Sequence, residues 1–347
     1  MIAISVLAGC DSSGTGMKGK HGSATKSAGS GTAGVSNIEG TIKINGSSTV
    51  LPISNAVREE FNKQFPSVIV EVDGAGTGNG FEQFQNKETD ISDASRPIKP
   101  GEFVKCKEQG VNFVEIPIAY DGLTIVINPE NDWVQTLTIE QLKTMFLGDE
   151  AAKKWSDVDE SWPEEAIEIY SPGTGSGTYD YFREVVQGKG EVKIRTDMIL
   201  NEDDNVLVQG VAGNKYAIGF FGVAYYNENK DKLKAVEVVN PSDETAYLPT
   251  MDNIASGKYA PFSRPLFIYV STESFGRAEV SSFVNFYLDN VSELCERVGY
   301  VRLPEEMMVQ GTENLENEMV GTHFVDADGE KREGSFKENF KPENLVK

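Results

Sequence analysis

Glycine beside serine or threonine, where an apolar strand turns into an amphipathic helix, can hold an anion without a formal charge. This sequence carries the arrangement in three places. Gly46-Ser47-Ser48-Thr49 precedes a helix with Pro52 in its first turn, and Gly76-Thr77-Gly78 precedes a helix expected from about Phe81. Gly173-Thr174-Gly175-Ser176-Gly177-Thr178 precedes a helix bearing Phe182, Val185 and Val186. Glycine lets the backbone approach a ligand. First-turn N–H groups lack an intrahelical acceptor, and the helix macrodipole places partial positive charge at the same end. One such loop is an ordinary N-cap. Three at the C-terminal ends of strands, where open α/β sheets bind their ligands, point to an oxyanion site. None continues as Gly-Lys-Ser/Thr, so none is a Walker A loop. Asp93-Ala94-Ser95-Arg96-Pro97-Ile98 adds a hydroxyl and a guanidinium at another strand end. That pair suits a bidentate grip on an oxyanion or, alternatively, a solvated surface ion pair.

Chemistry beyond binding has little to work with. A hydrolase using Ser176 as nucleophile needs a positioned base, and the histidines are His21, in a polar leader, and His323, far along the chain. No His/Cys/Asp cluster has metal-ligand spacing. The expectation is therefore a binding protein and not an enzyme, with no cofactor and no metal. A formal net charge of −22 repels nucleic acid. It does not repel a small anion held at short range by N–H and O–H donors, because salt screens the global field beyond about 8–10 Å.

The elements that must position these loops alternate along the chain. Strands are expected at Thr41–Asn45, Val68–Val72, Leu123–Asn128, Ile167–Tyr170, Ala217–Phe221, Val236–Val239 and Leu266–Val270. Between them lie helical stripes, among them Ile53/Val57/Phe61 and Val280/Phe283/Val284/Tyr287/Leu288. Thr138-Ile139-Glu140-Gln141 reads as a capping box, and Asp326-Ala327-Asp328-Gly329 as a turn in a late hairpin. Strands separated by helices imply α/β layers with largely parallel sheets.

Ahead of this body, residues 1–10 end in Leu7-Ala8-Gly9-Cys10, which resembles a lipoprotein signal with Cys10 as the lipidated residue. The apolar run before it is short and lacks a basic residue, so the signal is expected to be truncated here. Residues 11–38, rich in Gly, Ser, Thr, Ala and Lys, read as a flexible tether. No stretch approaches the roughly 18 apolar residues of a membrane span. Cys106 and Cys295 remain as one possible disulfide; two buried thiols are the alternative.

The quoted loops, with Asp90-Ile91, Asp121-Gly122-Leu123-Thr124-Ile125-Val126-Ile127-Asn128 and Gly175-Ser176-Gly177-Thr178, resemble the periplasmic phosphate-binding proteins of ABC phosphate transport systems, in the family's order. Asp203 to Val211 and Ala217 to Phe221 resemble its cyanobacterial-type branch. The resemblance covers about Thr41 to Pro304. It implies a two-lobed class II periplasmic-binding-protein fold, with a central sheet in each lobe and two crossover strands. Lobe 1 would be residues 39–121 plus 265–347, and lobe 2 residues 122–264, closing by hinge bending. Both cysteines would then belong to lobe 1.

Carried over by position, Ser48, Thr49, Val50, Thr77, Ser95, Arg96, Ser176, Gly177 and Thr178 would bind phosphate. The resemblance also implies delivery to an ABC permease, a location in the cell envelope through the lipid anchor, and a monomer. Two departures matter. Studied members have Asp where Arg96 stands and Arg where Pro172 stands. The guanidinium is kept, but the carboxylate that accepts the proton of hydrogen phosphate is lost, and that acceptor is what rejects sulfate. Asp121 and then Asp180 are the candidate replacements; a structural role is the alternative for either. The competing readings are a binder of sulfate, molybdate or arsenate, and a phosphate-ester hydrolase.

Overall fold

The computed structural model describes residues 38–347 apart from Lys189; Cys10 and most of the tether lie outside the described residues. Twelve strands follow in chain order. They are β1 (Gly40–Gly46), β2 (Val68–Asp73), β3 (Ile91–Ala94), β4 (Phe113–Ile127), β5 (Thr136–Leu137) and β6 (Glu168–Pro172), then β7 (Ile199–Asn201), β8 (Ala217–Gly222), β9 (Lys234–Ala235), β10 (Glu237–Val239), β11 (Ala246–Tyr247) and β12 (Ser263–Ser271). The principal sheet runs β2-β1-β3-β12-β4-β8-β6-β7, with β9 also on β4, and β11-β10-β5 form a small second sheet.

Each arm of the principal sheet is parallel, as β1 is with β2 and β3 and β6 with β7 and β8. Its centre is not. β12 runs antiparallel to both β3 and β4, and β4 antiparallel to β8, which corrects the expectation of largely parallel pairing. The cause is the path of the chain. All 15 residues of β4 are buried. Its first part pairs with β12, and from Leu123 onward it pairs with β8, so one strand serves both arms. A chain that crosses by β4 and returns by β12 lays the two crossings side by side in opposite senses. The register slips between Leu266 and Phe267, opposite Ala119 and Pro117. Pro117 has no N–H to give a ladder, and a bulge is where a sheet tolerates that.

Both faces of β4, β8 and most of β12 are covered, which is why these strands carry long apolar runs. On β12, Leu266, Ile268 and Val270 pack with Ile44, Phe61, Phe283 and Tyr287, from the Leu51–Gln64 and Ala278–Arg297 helices among others. Phe267 and Tyr269 instead pack with Phe81, Phe84, Phe113 and Phe324. Alternate residues of a strand face opposite sides of the sheet. Cys295 belongs to the first cluster and Cys106 to the second, so the sheet separates them and both are free thiols. The disulfide expectation fails for that reason. Burial pushes each thiol up to about 12. In the other arm, Phe146, Trp155, Phe182, Phe220 and Phe262 form one core, and Val126, Leu207, Val211 and Phe221 another.

Pro52 lies in the first turn of the Leu51–Gln64 helix, and Thr138 and Gln141 cap each other. Asp326–Gly329 forms its turn, with Val325 bridged to Lys331. One helix starts earlier than expected, at Thr77 rather than Phe81. Gly78 and Gly80 are poor helix formers, but contact overrides propensity: a Cβ on Gly80 would come within 2.5 Å of Gly46 Cα. Among the described residues no helix is long and apolar enough to cross a membrane.

Candidate anion-binding site

The first two glycine loops interlock at the ends of β1 and β3. Gly76 N–H donates to Gly46 O at 2.7 Å, and Ser47 N–H to Asp93 O at 2.8 Å. The Thr77 and Ser95 hydroxyls lie 3.1 Å apart, and Ser95 N–H donates to Thr77 Oγ1 at 3.2 Å. The third loop arrives from β6. Ser176 caps the Gly177–Gln187 helix by accepting the Thr178 N–H at 3.1 Å. Gly177 abuts the first loop so closely that a Cβ there would lie 2.9 Å from Thr49 Cα and 3.3 Å from Ser48 O. Three loops distant in sequence therefore meet, and they bring Ser48, Thr49, Thr77, Ser95, Ser176, Gly177 and Thr178 into one neighbourhood. Val50 differs from expectation, since its N–H donates to Ser47 O at 3.1 Å. The first loop offers the Thr49 hydroxyl instead.

The guanidinium at this junction is Arg264, the last residue of the 122–264 lobe that the resemblance implies. It sits on β12 directly across from Asp121 on β4. Its Nε donates to Asp121 Oδ2 at 3.3 Å, Nη1 to Glu184 Oε2 at 2.9 Å and Nη2 to Thr49 Oγ1 at 2.9 Å. The group stacks 3.5 Å from the Tyr181 ring centre. Asp121 is buried, and burial raises its carboxyl above the ordinary value while Arg264 pulls it back. Hydroxyl donors, a cationic fork and a carboxyl of raised proton affinity suit a tetrahedral oxyanion that still carries a proton. The signal that could have found Arg264 was Arg264-Pro265 just before the apolar run Leu266–Val270: a cation where the chain re-crosses has to lie at the junction.

Arg96 and Asp180 are placed elsewhere. The Arg96 fork engages Glu102 at 2.8 and 2.7 Å and lies 5.5 Å from the Phe81 ring centre. Glu102 also accepts the Lys99 N–H at the start of the Pro100–Glu108 helix, so a local carboxylate satisfies the guanidinium meant for a ligand. Asp180 pairs with Arg183 at 2.8 Å along its own helix, so the carboxyls on Arg264 are the buried Asp121 and the exposed Glu184. Arg96→Gln should accordingly change oxyanion affinity by less than about 1 kcal/mol, the scale of a partly exposed ion pair. A loss of several kcal/mol in a binding titration would return Arg96 to the site.

Fold and junction together define a two-lobed binding protein of the periplasmic type, with converging oxyanion donors. A profile of the PBP superfamily domain matches residues 24–291. The chain is 46% identical to the protein SphX of Synechococcus elongatus, over 82% of this chain and 84% of that one. It is 42% identical to the phosphate-binding protein PstS of Staphylococcus saprophyticus, over 80% and 85%. A solved structure of a possible phosphate-binding protein from Planctomyces limnophilus shares 44% identity and a TM-score of 0.78, over 81% of this chain and 99% of that one. An ABC-type phosphate transport receptor from Vibrio cholerae shares 25% and a TM-score of 0.59, over 76% of this chain and 100% of that one. The chain belongs to the PBP superfamily and, within it, to the family of the SphX and PstS proteins.

Proposed function

We propose that this protein binds inorganic phosphate where its three glycine loops meet and hands it to an ABC permease. The observation that carries this reading is the placement of Arg264 between Thr49, Asp121 and Glu184, with Gly177 against Thr49. The ligands are the hydroxyls of Thr49, Thr77, Ser95, Ser176 and Thr178, the first-turn N–H of Gly177, and the Arg264 fork. Ser48 is adjacent. Asp121 accepts the proton of hydrogen phosphate, and an anion without that proton leaves the buried carboxyl facing a like charge.

Residues 39–121 with 265–347 form one lobe and 122–264 the other, hinged at β4 and β12. The protein binds without turnover: His323 lies buried against Glu115, apart from Ser176. It works as a monomer at the cell envelope, exported and held by a lipid on Cys10. Membrane fractionation of a Cys10→Ser chain tests the anchor, because a variant still held in the membrane fraction would contradict it.

The deciding experiment is calorimetric titration of the chain with phosphate after bound ligand has been stripped, with sulfate as competitor. Tight binding of phosphate that excess sulfate does not disturb is the expected result. Sulfate binding of similar strength would make the protein a general tetrahedral-oxyanion binder. Absence of phosphate binding would refute the reading.

A further inference from the structure

Asp93 stands two residues before Ser95 and is wholly buried. Its main-chain carbonyl holds the Ser47 N–H of the first glycine loop at 2.8 Å. Its carboxyl accepts one hydrogen bond, from Ser54 Oγ at 2.7 Å, and its second oxygen meets no donor among the described residues. Ser54 lies five positions beyond Thr49, about 7 Å along a helix axis.

Among the described residues, the groups packed around Asp93 supply no compensating cation. The Leu51–Gln64 helix presents Ser54. The Ala278–Arg297 helix presents Tyr287, whose hydroxyl is 3.2 Å from Ser54 Oγ. β1 presents Gly46, and β12 presents Ile268, the register partner of Asp93. The Thr77–Gln85 helix presents Gly80 against the neighbouring Ser92. Tyr287 is the titratable neighbour, and burial raises its phenol well above the ordinary value, so it stays neutral. At the far end of the same strands the Lys43 main-chain N–H donates to Asp90, whose carboxylate pairs with Arg277.

We propose that Asp93 couples oxyanion binding to proton uptake, so that the site takes its anion with Asp93 neutral and an ionised Asp93 weakens binding. The proposal rests on the oxyanion reading of the adjacent loops. Burial with a single donor pushes the carboxyl up to about 7, the range in which it changes charge. A negative charge behind the start of the helix opposes a second one in front of it through a medium of low effective dielectric. Below its pKa Asp93 is already protonated and affinity is flat. Above it the free protein must draw a proton from solvent onto the carboxyl as the anion enters, so affinity falls as pH rises.

The test compares phosphate titrations of the wild-type and Asp93→Asn chains, from about two pH units below that pKa to about two above it. The titration of phosphate itself is common to both and cancels in the ratio. The two should bind alike at the acidic end, with the variant about tenfold tighter at the alkaline end. Parallel profiles would overturn the proposal, and so would weakening by one factor at every pH, which marks a structural role. Ser54→Ala keeps the carboxyl but removes the donor that favours its ionised form. In that variant the fall in affinity should move to higher pH, and an unmoved fall overturns the proposal even if the Asn variant does not fold. Failure of the wild type to bind phosphate at any pH would overturn the oxyanion reading first, and this proposal with it.

Discussion

An Arg264→Ala chain is expected to bind phosphate about 2–5 kcal/mol more weakly than the wild type, the range for truncating one partner of a buried charged hydrogen-bonded set. Three effects add in the same direction. The anion loses a fork that could grip two of its oxygens. The Thr49 hydroxyl loses the donor at 2.9 Å that orients it. Asp121 loses the cation that offsets its burial, so its carboxyl rises further. Arg264→Lys should recover part of the loss, since an ammonium keeps the charge but not the planar fork. Titration calorimetry reads both variants. Unchanged affinity in the alanine variant would place the guanidinium outside the site and remove the main support for the proposed function. A thermal melt beside the titration separates lost binding from lost fold.

The second large effect concerns stability. Glu115 is buried, and its two oxygens accept Tyr269 O–H at 2.8 Å, Thr322 O–H at 2.7 Å and His323 N–H at 3.0 Å, with His323 Nδ1 at 3.1 Å. This carboxyl fastens the last part of the chain to the strand that joins the two arms. Beside it, Thr322 and Val346 exchange main-chain hydrogen bonds at 3.0 and 2.9 Å. Glu115→Ala leaves buried donors with no acceptor and should lower unfolding stability by about 3–5 kcal/mol, the cost of breaking a buried polar set by removing one member. Chemical denaturation measures it as a shifted midpoint. A shift equivalent to less than about 0.5 kcal/mol, ordinary for a surface site, would show that the cluster contributes nothing net. Phosphate affinity should survive in whatever fraction remains folded, because none of these groups belongs to the glycine loops.

These two residues mark the limits of what could be read along the chain. Glu115 lies ahead of Leu123, where the strand expectation begins, and Pro is disfavoured in a central strand such as the one holding Pro117, so the first half of β4 was not legible. Nothing local announces that Tyr269, Thr322 and His323 converge on Glu115. Arg96 reads along the chain as an oxyanion ligand, while Glu102, six residues on in the first turn of the next helix, pairs with its guanidinium. Cys106 and Cys295 could be counted, but which face of the sheet each occupies follows from strand order. Asp93 stood in view beside Ser95, yet its isolation from any cation depends on Ser54 and Tyr287, the latter from the far end of the chain.

By itself the sequence determined the parts whose physics is local. These are the three glycine loops between strand and helix, the helices with Pro52 and Thr138 at their starts, the alternation of strands and helices that makes an α/β body, and the family to which the order of motifs belongs. Only the tertiary structure decided which charges meet where the glycine loops converge. Arg264 and Thr49 are 215 positions apart, and they touch because β12 returns antiparallel to β4 and sets Arg264 opposite Asp121. A hydroxyl or a glycine carries its function in its own backbone geometry, whereas a charge acquires one from the partner that the fold brings to it.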